Sequence, residues 1–363
     1  MSRLWYHTIR MKNALITALT APFRKPKPTQ DPNRILVVST TGLGDTLWST
    51  PALRALKTHL PNSYLATLTS PVGAQVLKNN PHVDCIWIAR EPLPIRLPSL
   101  ITNLRKEQFD TILIFHTSQR LILPLCTLLG ASTIAGTTGI NKGLDHLLTH
   151  PIPPSYEHEI ARRLRITQAI NVPSIGNQTL DWFISDCERI KALQIYSEFN
   201  KPIVALHPGS KDRFKQWPPS HFAELGKLLK QADLDIMITG NLQEAALAQE
   251  ISDQIPGARC IAGNHSLRTF AALLKYIDLF ITNDTGPMHI AFAHNTPTIA
   301  LFSPTDPSLC GPHHAKHCKI LSQPPTCNPC LRKRCFDPFC MRQIGPEEVM
   351  DHVKQFYIET SYV

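Results

Sequence analysis

The chain has 363 residues, of which 43% are hydrophobic, and its formal net charge is +9 at pH 7. This length is enough for a sizeable core and exceeds that of one ordinary domain, so we expect two domains. The positive charge favours an acidic partner, such as an anionic membrane surface or a phosphorylated ligand. No RNA-binding signature or helix-turn-helix motif is recognised, so we expect no nucleic-acid partner.

Residues 1–33 form a basic extension in which apolar side chains are interleaved with lysine and arginine. Its most apolar stretch, NALITALTAP, is short and has basic residues on both sides, unlike a typical signal peptide. No run in the sequence reaches the roughly 20 apolar residues needed to span a bilayer. The pattern indicates an amphipathic helix lying on an anionic membrane, and a packed or disordered extension is the alternative.

Two segments that begin at Arg34 and Pro202 share one pattern. Each opens with a β-branched apolar run of strand length, passes through a Gly-containing loop into a helix, and returns in a second strand. Two strands joined by a crossover helix lie parallel. We therefore predict two doubly wound α/β domains, over residues 34–195 and 196–345, and a C-terminal helix over residues 346–363.

The loops that follow strands are the candidate sites, because open parallel sheets bind ligands beyond the carboxyl ends of their strands. In the first domain this loop is TTGLGDTLWSTP, where Gly44 allows a tight turn and Asp45 stands at or near a helix start. Asp45 is either a helix cap or a carboxylate base. An NAD site is disfavoured, because the third glycine and the acidic residue after the second strand are missing.

In the second domain, HPGSKDRFKQWPP places Ser210 and Lys215 before a helix N-terminus. This arrangement is typical of a phosphate-binding loop, and a solvated basic loop is the alternative. In TGNLQEAALAQ, which follows the next predicted strand, Glu244 is either a ligand for ribose hydroxyls or a surface residue.

The stretch ITNDTGPMHIAFAHNTPTIALFSPTDP contains a buried strand, a loop with Asp284, Thr285 and Gly286, and a helix that starts at Pro287. The backbone N–H groups of the first helical turn point beyond the sheet, and His289 lies in that turn. We expect this strand end to form a binding surface. Simple capping by Asp284 and a histidine packed within the helix are the alternatives.

Three segments make the chain resemble glycosyltransferase family 9, the heptosyltransferases of lipopolysaccharide core assembly: GLGDTLWSTPALRALK, HPGSKDRFKQWPPSHFAEL and NDTGPMHIAFAHNTPTIALFSPTDP. The resemblance implies a GT-B fold, in which two Rossmann-like domains face a central cleft. It also implies inverting, metal-independent transfer of heptose from an ADP-heptose donor to a lipid-linked saccharide acceptor, with no cofactor for catalysis. Such an enzyme is cytoplasmic and peripheral on the inner face of the inner membrane.

The resemblance places the family's base aspartate on Asp45, and its phosphate-contacting hydroxyl and lysine on Ser210 and Lys215. The loop between the last two is one residue longer here than in the family. The donor-contacting acid falls on Glu244. The remaining donor-side positions are Asp284, Thr285, Gly286 and His289. The candidate acceptor-side residues are Gly44, His116, Arg120, His158 and Arg162, and the last four have structural or solvated positions as alternatives.

The ten cysteines are scattered apart from one cluster, which indicates reduced thiols rather than a disulfide framework. The cluster CNPCLRKRCFDPFC contains Cys327, Cys330, Cys335 and Cys340. Four thiolates with one C-x-x-C pair are able to close a structural zinc site. An iron–sulfur cluster and free thiols are the alternatives.

Two other functions are compatible with such a fold: a nucleotide-sugar epimerase, and a non-catalytic scaffold that binds a membrane or a partner. Transfer of the sugar to an acceptor with inversion distinguishes a transferase from an epimerase. The presence of both Asp45 and the loop over residues 284–289 argues against a scaffold, since a scaffold needs neither.

Overall fold

The computed structural model describes residues 3–23, 32–173, 178–312 and 317–360, without the side chains of residues 3–8, 10 and 358–360. The chain divides into two compact units, Met1–Asp181 and Trp182–Val363. Parts of the predicted N-terminal extension and C-terminal helix, namely residues 1–2, 24–31 and 361–363, lie outside the described residues.

The described residues of the first unit form a parallel six-stranded sheet of β1 (Arg34–Ser39), β2 (Tyr64–Thr69), β3 (Cys85–Ile88), β4 (Thr111–His116), β5 (Thr133–Thr137) and β6 (His150–Ile152). Their order across the sheet is β3-β2-β1-β4-β5-β6. The helices of this unit are α1 (Arg3–Thr20), α2 (Leu43–Leu47), α3 (Thr50–His59), α4 (Pro71–Leu77), α5 (Leu93–Lys106), α6 (Ile122–Leu128) and α7 (Glu159–Thr167).

The described residues of the second unit form a parallel six-stranded sheet of β7 (Ile203–His207), β8 (Asp235–Ile238), β9 (Arg259–Cys260), β10 (Leu279–Asn283), β11 (Thr298–Phe302) and β12 (Cys318–Ser322). Their order is β12-β11-β10-β7-β8-β9. The helices are α8 (Asp186–Tyr196), α9 (Pro219–Gln231), α10 (Ala245–Asp253), α11 (Leu267–Leu273), α12 (Gly286–Ala293), α13 (Pro307–Cys310), α14 (Phe339–Arg342) and α15 (Pro346–Thr360).

The two sheets share one strand order. If the strands are numbered from 1 to 6 within each unit, both sheets have the order 3-2-1-4-5-6. The prediction of an α/β fold with two doubly wound sheets is confirmed, and the architecture is of the GT-B type. The first and fourth strands of each sheet are neighbours, so β1 lies beside β4 and β7 lies beside β10. In open α/β sheets this reversal of strand order is where the crevice for a ligand forms.

The central strands are mostly apolar because helices cover both faces of each sheet. In β1 every residue from Ile35 to Ser39 is buried, and in β7 every residue is buried. The C-terminal helix α15 packs on α9 and contributes Val349 and Val353 to the core of the second unit. Each unit therefore has its own core around its own sheet.

The boundary between the units lies before α8, whereas the sequence placed it at residue 195/196. The helix begins with a capping box formed by Ser185 and Glu188, and it packs on α11 of the second unit. Glu188 Oε2 lies 2.9 Å from Arg268 Nη2 of α11. Because both side chains are largely buried, this ion pair attaches α8 to the second unit.

The N-terminal helix α1 packs on α6 of the first unit. Within the part of the chain that the structure describes, no helix is both long and apolar enough to cross a bilayer.

Candidate functional site

Asp45 lies in α2, directly beyond the carboxyl end of β1. Its Oδ2 accepts a hydrogen bond from the backbone N–H of Gly42, at 3.1 Å, and so caps the short helix. Its Oδ1 lies 3.3 Å from Arg163 Nη2 and 3.3 Å from His116 Nδ1. The side chain is 22% exposed, so the carboxylate is held from within the protein and is still accessible to a ligand.

Arg163, on α7, is the buried partner of Asp45, and its side chain is fully inaccessible to solvent. Its Nη1 donates to the main-chain oxygen of Glu159, at 2.8 Å, and to the carboxylate of the same residue. Its Nε donates to Ser49 Oγ at 3.2 Å, and its guanidinium lies 5.4 Å from the ring centroid of Trp48. A buried charge needs such partners, because an unpaired one is strongly destabilising.

Glu159 stays ionised beside this guanidinium. Burial alone would raise the pKa of Glu159, but the positive charges of Arg163 and Arg162 outweigh burial and lower the pKa to about 2. Burial lowers the pKa of Arg163, and the carboxylates of Glu159 and Asp45 oppose that change. The buried Arg163 and the half-buried Glu159 therefore form an ion pair next to Asp45 at neutral pH.

His116 ends β4, the strand next to β1, which brings it to Asp45. Its Nδ1 also lies 2.8 Å from Thr41 Oγ1. Burial lowers the pKa of His116, Arg163 adds to that effect, and Asp45 opposes it. The imidazole is thus neutral at neutral pH, and it faces the carboxylate as a hydrogen-bonding group.

The other candidates near Asp45 are used within the protein. His158 is buried, its Nδ1 accepts from the backbone N–H of Ile160 at 3.2 Å, and its ring lies edge-on to Trp48. Arg162 is also buried and lies 2.5 Å from Glu159 Oε2. Gly44 lies within α2. A role in contacting the acceptor stays a prediction for these three positions.

Arg120 lies between β4 and α6, away from the contacts of Asp45. Its Nη1 donates to Asn13 Oδ1 of α1 and lies 3.4 Å from the main-chain oxygen of Lys142. Arg120 lines a shallow pocket, which we call the basic pocket. The lining residues of the basic pocket are Thr117, Gln119, Arg120, Leu123, Ile140, Asn141 and Lys142.

In the second unit, the loop after β7 is fixed to the end of β10 by Asn283. The amide nitrogen of this buried side chain donates to the main-chain oxygen of Pro208, at 2.9 Å, and its Oδ1 accepts from the backbone N–H of Trp217, at 3.0 Å. The two ends of the loop are thus attached to the neighbouring strand. Sequence reasoning placed Asn283 in the motif but gave it no role.

Lys215 and Asp284 form an ion pair beside Asn283, with Nζ 2.6 Å from Oδ2. The Asp284 side chain is 6% exposed, and Thr305 Oγ1 donates to the same oxygen at 2.5 Å. The helix α12 is capped at Thr285 without a side-chain hydrogen bond. Asp284 therefore orients Lys215 rather than capping the helix. Thr305, in the quoted motif SPTDP, was missed as a site residue.

Ser210 and Glu244 lie near the same loop. Ser210 is buried, and its main-chain oxygen accepts from Gln216 Nε2 at 2.9 Å. Glu244 Oε2 accepts from the backbone N–H of Asn241, at 2.9 Å. A Cβ atom at Gly209 would lie 2.2 Å from the carboxylate of Glu244, so glycine allows the loop to approach that carboxylate closely.

The start of α12 carries the remaining predicted donor residues. Thr285 is its N-cap, Gly286 is its first residue, and Pro287 follows. His289 is buried, with its ring edge-on to Phe292 at a centroid distance of 5.9 Å. The histidine thus packs within the unit, and a donor contact stays a prediction for it.

The four clustered cysteines lie between β12 and α15. Cys340 is buried and Cys327 is exposed, and the Cys335 thiol lies 3.2 Å from the main-chain oxygen of Asp337. The backbone N–H of Arg332 donates to Cys330 Sγ at 3.4 Å. Among the described side chains, no group of three or more His, Cys, Asp or Glu is arranged to hold a metal ion.

Comparison with known proteins decides the family. Residues 98–338, more than half of the chain, match the model of glycosyltransferase family 9 (heptosyltransferase). The chain belongs to glycosyltransferase family 9. This family 9 glycosyltransferase is 24% identical over 331 residues to lipooligosaccharide heptosyltransferase 2 of Campylobacter jejuni serotype O:6, covering 89% of the chain and 98% of that relative.

Two solved structures have the same fold as this family 9 glycosyltransferase. A family 9 glycosyltransferase of Veillonella parvula superimposes with a TM-score of 0.80 at 22% identity, covering 91% of this chain and 99% of that one. The Escherichia coli ADP-heptose lipopolysaccharide heptosyltransferase II gives a TM-score of 0.74 at 19% identity, covering 90% and 99%. The family match begins after Asp45, so the assignment of that residue depends on its position and contacts.

Proposed function

We propose that this family 9 glycosyltransferase moves heptose from ADP-heptose to the core saccharide of a lipopolysaccharide acceptor. The donor is named in the description of the E. coli structure with the same fold, and the Campylobacter relative is named for lipooligosaccharide. The observation that carries the proposal is the position of the charged residues. Each unit has its charged cluster at the reversal of strand order, with Asp45 and Arg163 in the first and Lys215 and Asp284 in the second.

The second unit holds the diphosphate of the donor in this proposal. Lys215 has three N–H donors, of which Asp284 takes one, so the others are able to reach phosphate oxygens. The Ser210 hydroxyl and the first-turn N–H groups of α12 add further donors. When the bond from the anomeric carbon to phosphate breaks, negative charge grows on the leaving ADP, and these groups stabilise it in a metal-independent reaction.

The first unit supplies the base. The acceptor hydroxyl attacks the anomeric carbon opposite the departing ADP, and Asp45 accepts the hydroxyl proton as the new bond forms. In-line displacement inverts the configuration of that carbon. The N–H of Gly42 and the guanidinium of Arg163 hold the two carboxylate oxygens of Asp45, so the base meets the hydroxyl in one orientation.

Product analysis tests the proposal. Purified protein is incubated with ADP-heptose and heptose-deficient lipopolysaccharide, and the products are analysed by mass spectrometry and by the release of ADP. We expect the acceptor to gain one heptose with inversion at the anomeric carbon. Conversion of the nucleotide sugar without transfer would instead identify an epimerase, and absence of both reaction and donor binding would identify a scaffold.

We further propose that the enzyme acts at the cytoplasmic face of the inner membrane, where a lipid-linked acceptor and a nucleotide-sugar donor are both within reach. The four clustered cysteines are proposed to bind a structural zinc ion that takes no part in transfer, and binding would draw together thiols that do not surround a common point in the described structure. Elemental analysis of the purified chain is expected to give about one zinc per chain, and four freely titrating thiols without metal would contradict this.

A further inference from the structure

The helix α1 docks on the first unit through one of its faces. Asn13 Nδ2 donates to the main-chain oxygen of Lys142 at 3.1 Å, and Thr17 Oγ1 lies 2.9 Å from His146 Nε2. Ile16 packs against the core of the unit, and Thr20 is buried. The four residues recur at intervals of three and four positions, so they lie on one face of α1, and that face contacts the first unit.

The opposite face of α1 is also apolar, and it is exposed. Met11, Leu15 and Leu19 follow one another at intervals of four residues and are 73%, 62% and 63% exposed. We call these three residues the exposed stripe. The alanines between them, Ala14 and Ala18, are exposed as well. A solvent-facing helix surface is normally polar, and an exposed apolar surface marks an interaction site.

The charge around the exposed stripe indicates what covers it. The helix α1 contains Arg3, Arg10 and Lys12 and no acidic residue, and residues 1–34 carry seven Lys or Arg against one Asp. Apolar side chains that insert below the headgroups, together with cations that reach lipid phosphates, bind helices to anionic bilayers.

We propose that α1 is a docked membrane-binding helix, whose exposed stripe inserts into an anionic phospholipid surface. The inference deepens the proposed function and rests on its lipid-linked acceptor. Asn13, on the docked face, contacts Arg120 of the basic pocket. Since a helix with its side chains is about 10 Å across, the basic pocket lies within about 10 Å of the bilayer surface, where a lipid-borne saccharide is found.

Co-flotation with vesicles tests the inference directly. The full-length protein is mixed with vesicles of pure phosphatidylcholine, or of equal parts phosphatidylcholine and phosphatidylglycerol. The wild type is expected to bind the anionic vesicles and to bind them less as the salt concentration rises. The double variant Met11→Glu/Leu15→Glu is expected to bind the anionic vesicles at least about tenfold more weakly, because charge replaces the inserting side chains.

Three matched measurements make the outcome interpretable. Ile190→Glu changes another exposed apolar side chain, on α8, and should leave vesicle binding unchanged. Lys12→Glu should weaken binding to anionic vesicles without removing an apolar side chain. Thermal unfolding of the double variant should match that of the wild type, since glutamate is a good helix former and both positions are exposed.

Transfer assays separate this inference from the proposed function. The double variant should transfer heptose about tenfold more slowly to an acceptor in anionic vesicles and at the wild-type rate to a delipidated core oligosaccharide. Vesicle binding equal to that of the wild type would overturn the inference. A wild-type dimer that is lost in the double variant would also overturn the inference, because the exposed stripe would then bind a second copy of the chain. Failure of the wild type to transfer heptose to either acceptor would refute the proposed function, while vesicle binding would still decide the role of α1.

Discussion

Replacing Arg163 by methionine tests whether the ion pair of this buried arginine with Glu159 supports both the first unit and Asp45. Methionine keeps much of the volume, but it removes the bonds to Glu159, Ser49 and Asp45. Removal of one partner from a buried ion pair typically destabilises a protein by about 3–5 kcal/mol, and the lower end of that range applies here because the Glu159 side chain is 27% exposed. The pKa of Glu159, about 2 against an ordinary 4.5, gives a comparable value of roughly 3 kcal/mol for the interactions of that carboxylate.

The assay is urea denaturation of the Arg163→Met variant at pH 7, beside Arg189→Met as the control. Arg189 pairs with Asp186 at the surface, so its loss should hardly move the transition. We expect Arg163→Met to lower the free energy of unfolding by about 3 kcal/mol and to reduce transfer, because Asp45 loses a fixed partner. A change below about 1 kcal/mol, with transfer intact, would refute the reasoning.

The pH dependence provides a second readout. The folded-state pKa of Glu159 lies below its ordinary value, so its stabilisation is present above about pH 4.5 and is lost as the pH falls towards 2. The wild type should lose about 3 kcal/mol from this group over that range. The Arg163→Met variant should lose less, because Arg162 alone remains beside the carboxylate. Equal acid sensitivity of the two proteins would show that Arg163 does not set the pKa of Glu159.

The remaining predictions concern catalysis and the donor. Asp45→Asn should lower kcat by roughly 10²–10⁴-fold and leave the Kd for ADP-heptose unchanged, and normal turnover would remove Asp45 from its role. Lys215→Ala should weaken ADP binding by about 10- to 100-fold in calorimetry. Lys211→Ala, which changes an exposed lysine of the same loop, serves as the control. An unaltered Kd of the Lys215 variant for ADP would contradict the phosphate assignment. Gly209→Ala should push the Glu244 carboxylate aside and weaken donor binding while the thermal unfolding temperature stays near that of the wild type; retained donor affinity would argue against Glu244 as a donor ligand.

The sequence by itself determined the opening strands of both units, the loops after them and the doubly wound class of both units. These features follow from local patterns, namely apolar runs of strand length, helical spacing of leucines, and Gly or Pro between elements. The same patterns singled out Asp45, Lys215 and Asp284, because ligands bind beyond the carboxyl ends of parallel strands. The sequence placed the domain boundary at residue 195/196, whereas the compact units divide before α8. Local patterns do not show that α8 packs on α11 and that Glu188 pairs with Arg268.

Only the tertiary structure decided which strand ends are neighbours, and hence which side chains meet. Lys215 and Asp284 stand 69 positions apart in the chain and pair because β7 lies beside β10. Asp45 and Arg163 stand 118 positions apart, and the sequence analysis named the neighbouring Arg162 as an acceptor-side candidate but gave Arg163 no role. Successive residues on a helix point about 100° apart, so one step along α7 decides which guanidinium lies beneath the carboxylate. Local periodicity fixes the face of an element, but contacts between distant elements are fixed only by their packing.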